Sequence, residues 1–65
     1  MTKNQEKIVH ALENGEKVKV KNSRGYEAIL ERVRGKYEVI MNAGWVIEEW
    51  AFESAISAVV FAGIQ

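Results

Sequence analysis

KVKVKNSRGYEAILERVRGKYEVIMNAGWVIEEW, residues 17–50, is the stretch that decides the fold. Three turn signals punctuate it. Ser23-Arg24-Gly25 and Asn42-Ala43-Gly44 each end on glycine, the residue that a three-residue hairpin loop with a G1 bulge needs in its left-handed position. Arg34-Gly35 is a two-residue signal, in which a type I′ turn also asks Arg34 for positive φ. The runs between the turns are rich in β-branched and aromatic residues. They predict four strands, near 17–22, 26–33, 36–41 and 45–50, joined as a meander.

The loops imply a register. Closing the first hairpin on Ser23–Gly25 sets Lys21 opposite Glu27, Val20 opposite Ala28, Val18 opposite Leu30 and Lys17 opposite Glu31. Two unlike-charge pairs arise without being imposed. Carried through the other turns, the register gathers Val18, Val20, Tyr26, Ala28, Leu30, Val39, Met41, Trp45 and Ile47 on a core face. The opposite face carries an apolar row of Lys19, Ile29, Ile40 and Val46. Beside it runs a row of Lys17, Glu31, Glu38 and Glu48, with Val33, Lys36 and Trp50 beyond.

Helical signals flank the meander. Thr2 and Gln5 form a capping box, and Gly15 follows Asn14 as a helix-ending residue. Ile8, Val9, Ala11 and Leu12 make the apolar stripe of that first helix, which should pack on the core face. Ser54 is placed to cap a second helix that is apolar almost all round and ends at Gly63. Trp45, Glu49, Phe52, Ile56 and Val59 also fall at helical spacing, which leaves open a shorter αβββα order. The glycine turn favours the fourth strand. The fold class is α+β either way, with both helices on one face of an antiparallel sheet.

At 65 residues, the chain (1–65) reads as one small domain near the lower limit for independent folding. It has no cysteine to staple it, and a chain of this kind often dimerises. The polar opening after Met1 and the lack of a long apolar run suggest a cytoplasmic protein without a membrane segment. Formal charge is zero, but every lysine and arginine lies at or before Lys36.

Catalysis is poorly supplied. There is no aspartate or cysteine, His10 falls on the polar side of a helix, and neither Ser23 nor Ser54 has an identifiable base. No metal or cofactor is implied. The helix–three-strand–helix alternative resembles the double-stranded-RNA-binding domain in topology. That family's lysine-rich start to the last helix is replaced here by Glu48, Glu49 and Glu53. A basic first hairpin (Lys17, Lys19, Lys21, Arg24) keeps nucleic-acid binding as the second expectation.

The first expectation is association with a protein. Ile29, Ile40 and Val46 would supply buried area, and Glu31, Glu38, Glu48 and Trp50 recognition. The chain is expected to act as a homodimer, and the partner on this face would be a second copy or another protein. Size and topology alone also suit the small phage or mobile-element proteins that inhibit a host enzyme or defence complex.

Overall fold

The computed structural model describes residues 1–65. Its order is α1 (Lys3–Glu13), β1 (Val18–Lys21), β2 (Glu27–Val33), β3 (Lys36–Ala43), β4 (Val46–Phe52) and α2 (Ala55–Phe61). The strands form one antiparallel sheet in the order β1-β2-β3-β4. Both helices lie on one face of it, α1 over β1 and β2 and α2 over β3 and β4. The fold is therefore α+β with a four-stranded meander, and the shorter order that resembles the RNA-binding domain does not form.

The caps act where their residues suggest. Thr2 Oγ1 accepts from the Gln5 N–H at 3.1 Å, and Gln5 Oε1 accepts from the Thr2 N–H at 2.8 Å. Both helices close with a Schellman arrangement. Glu16 donates to Ala11 and Gly15 to Leu12 after α1, while Ile64 donates to Val59 and Gly63 to Val60 after α2.

The core lies between the layers. Leu12, Ala28, Leu30, Val39, Ala58, Val59 and Ala62 are fully buried there, with Ile8, Val9, Tyr37, Ala55 and Ile64 around them. The alanines of α2 let the two helices and the sheet approach closely. Arg32 closes one side, 5.6 Å from the Tyr37 ring centroid and donating to the Glu13 carbonyl at 3.4 Å.

The first two hairpins keep the expected register: Val18–Leu30, Val20–Ala28 and Lys21–Glu27, then Ile29–Ile40 and Glu31–Glu38. Lys17 falls just outside the ladder, so it does not pair with Glu31. Tyr26, expected in the core, is 37% exposed beside the first turn.

Arg34 (φ 54°) and Gly35 (φ 81°) form the I′-type turn, with the arginine in a region costly for a side chain. Arg34→Asn should therefore stabilise the protein by about 0.5–1 kcal/mol. The check is a thermal melt, with about 4–8 °C gained per kcal/mol; a midpoint at or below that of the parent would contradict it.

The third turn departs from expectation. Ala43 pairs with Val46, so the loop is Gly44-Trp45, with Gly44 at φ 77° in the first central position as in a type II′ turn. A two-residue turn of this type matches the twist of the flanking strands, and it lengthens both of them. It also moves the β4 register by three residues, an odd number, and every β4 side chain changes face. Trp45 and Ile47, expected in the core, are 97% and 66% exposed. Trp50 and Phe52 take the helix side instead, opposite Val39 and Tyr37. There the Phe61 ring lies 5.5 Å from Trp50 and 5.1 Å from Phe52.

Candidate partner-binding surface

The face without helices is built on the β2–β3 register. Ile29 and Ile40 are direct cross-strand neighbours, and both are half-buried. The next pair on that face is Glu31 opposite Glu38, also half-buried. Like charges directly opposite one another destabilise a sheet. No cation relieves this pair: the two ion pairs in the structure are Lys19–Glu27 at 3.7 Å and Lys36–Glu53 at 3.6 Å. Two uncompensated carboxylates thus border an apolar pair.

The shift in β4 corrects the rest of the expected site. Val46, Glu48 and Trp50 belong to the helix-bearing face, because they pair with Ala43, Met41 and Val39. Glu49 replaces Val46 beside Ile40, and Ala51 replaces Glu48 beside Glu38. The row of three carboxylates is therefore a pair, and Ile47 supplies the apolar group near the turn. A shallow depression of about 230 Å³ lies between β3 and β4, lined in part by Glu38, Ile40, Glu49 and Ala51.

On the helix side, an open groove of about 460 Å³ runs between the first turn, α2 and β4. Arg24, Met41, Glu48, Trp50 and Phe61 are among its walls. Trp45, Ile47 and Phe61 were not among the residues expected to recognise a partner. The signal for the first two was present in Gly44, which fits a two-residue turn as well as a three-residue one.

The basic candidates Lys17, Lys19, Lys21 and Arg24 are all exposed, at the β1 edge and its turn, and Lys19 is engaged with Glu27. No three His, Cys, Asp or Glu side chains converge as a metal site requires. No helix is long and apolar enough to cross a membrane. Comparisons with protein-family models, curated proteins and solved structures return no match.

Proposed function

We propose that this protein works in the cytoplasm as a non-enzymatic binding module that docks another protein on its open sheet face. One observation carries the reading: the unrelieved Glu31–Glu38 pair beside the half-buried Ile29–Ile40 pair. A sheet selected for stability alone would place a cation opposite one of these carboxylates. A partner presenting lysine or arginine around an apolar centre relieves the repulsion and covers the isoleucines, with Ile47 and Trp45 extending the contact. Inhibition of a host enzyme by a small phage or mobile-element protein is one way to use such a surface, and the compact size of the chain supports it.

The test separates stability from binding. Glu38→Lys should raise the stability of the free protein by about 0.2–1 kcal/mol by turning a repulsive pair into an attractive one. The same substitution should weaken the complex with the partner, measured by calorimetry on purified components after differential capture by parent and variant. A variant that is no more stable and binds as tightly as the parent would sink the reading. Salt-sensitive oligonucleotide binding, lost in Lys19→Glu with Lys21→Glu, would put the basic hairpin in its place.

A further inference from the structure

The sheet ends in two edges of opposite character. β1 is four residues long and carries Lys19 and Lys21, two features that discourage stray strand pairing. β4 has seven residues without lysine, arginine or proline, and its pairing with β3 has no bulge. The two-residue turn makes Ala43–Val46 a pair that exchanges both hydrogen bonds, and such pairs recur at every second residue. Even-numbered residues of β4 therefore bond to β3. The backbone groups of Ile47, Glu49 and Ala51 point away from the sheet, where another strand would complete their ladder.

We infer that this strand is β4 of a second copy, paired antiparallel about a two-fold axis at Trp50. Side-chain chemistry selects that register. An axis at Glu48 or Glu49 sets a carboxylate against itself, and an axis at Ala51 sets Glu49 against Glu53. An axis at Ile47 requires the turn residue Trp45 to act as strand, and one at Phe52 pairs Ala51 with Glu53 and Trp50 with Ser54, beyond the end of the strand. With the axis at Trp50, Glu49 faces Ala51 of the copy and Glu48 faces Phe52. Trp50 faces its own copy at a non-hydrogen-bonded position, where cross-strand side chains approach most closely.

Trp50 is 53% exposed beside Phe61, so the aromatic pair gains cover from this contact. The product is a closed dimer in which two four-stranded sheets become continuous. Its open faces lie side by side and remain free, so the dimer contact is made by the backbone edge of β4 and not by the partner surface proposed above.

Light scattering across a concentration series tests the dimer, and single cysteines test the register. The parent should show twice the chain mass at high concentration and dissociate on dilution, since the contact is small. Ala51→Pro removes an outward N–H without touching the β3 ladder, and should give folded monomers by circular dichroism. Under mild oxidation, Trp50→Cys should cross-link about tenfold or more faster than Glu48→Cys, because a disulfide tolerates Cα separations of only about 4.4–6.8 Å.

A parent that is monomeric throughout overturns the inference while leaving the open-face reading intact. So does a dimer broken by Ile40→Lys but not by Ala51→Pro. A mass that keeps growing with concentration would overturn it too, by pointing to β4 against the β1 edge of the next copy, Glu49 to Lys19. If Ala51→Pro fails to fold, the cysteine pair decides, and faster cross-linking through Glu48→Cys rejects the axis at Trp50.

Discussion

Leu30→Ala is expected to leave much of the protein unfolded at physiological temperature. Leu30 is fully buried between Val18 and Val39, at the centre of the face that both helices cover. Its truncation removes apolar contacts and opens a cavity between two layers that each rest on the rest of the fold, at a cost of about 2–5 kcal/mol. A core in a chain this short supplies about 3–5 kcal/mol in total, so the loss is of the same size as the stability itself. Urea and thermal unfolding by circular dichroism measure it. Ile40→Ala is the internal comparison: it lies in the same sheet and is half-buried on the open face, so it should cost much less. Equal midpoints for the two variants would mean that the core does not lie where the helices place it.

The difference between those two faces was legible in the sequence for β1 to β3 and not for β4. The turns at Gly25 and Gly35 take the lengths read for them, and the two registers follow with Lys21 opposite Glu27 and Ile29 opposite Ile40. Gly44 admits two readings, because glycine supplies positive φ at the end of a bulged loop or at the start of a type II′ turn. The neighbouring pattern does not arbitrate. Trp45 and Ile47 compete with Val46, Trp50 and Phe52, and the Glu48-Glu49 pair interrupts the alternation of either set. What favours the second set is Phe61, a residue of the following helix that packs on Trp50 and Phe52. That contact is non-local, and strand periodicity carries no trace of it. The candidate surface divides along the same line. Ile29, Glu31, Glu38 and Ile40 sit together because β2 and β3 were readable, while Val46, Glu48 and Trp50 left with β4.

Asn22→Ala should cost about 1–3 kcal/mol, the range for backbone donors that lose a buried partner. Asn22 is the one buried polar residue of the chain. Its Oδ1 accepts from the N–H groups of Arg24 at 2.9 Å and Tyr26 at 3.0 Å, holding the first turn from inside. Its Nδ2 donates to the Met41 Sδ at 3.2 Å, which joins that turn to β3. Alanine retains the backbone bonds to Tyr26 and Gly25 but none of these three. The loss reaches further than the turn, because the neighbouring Ser23 N–H bonds the Gly63 carbonyl at 2.9 Å at the end of α2. A loosened turn therefore also loosens the docking of that helix. Two measurements check this. The thermal midpoint should fall, and amide exchange should quicken at Arg24, Tyr26 and Ser23 before it does so at Leu30. A variant with parental exchange at those three amides would show that water replaces the side chain without loss, and that the buried amide is not what holds the hairpin to the helix.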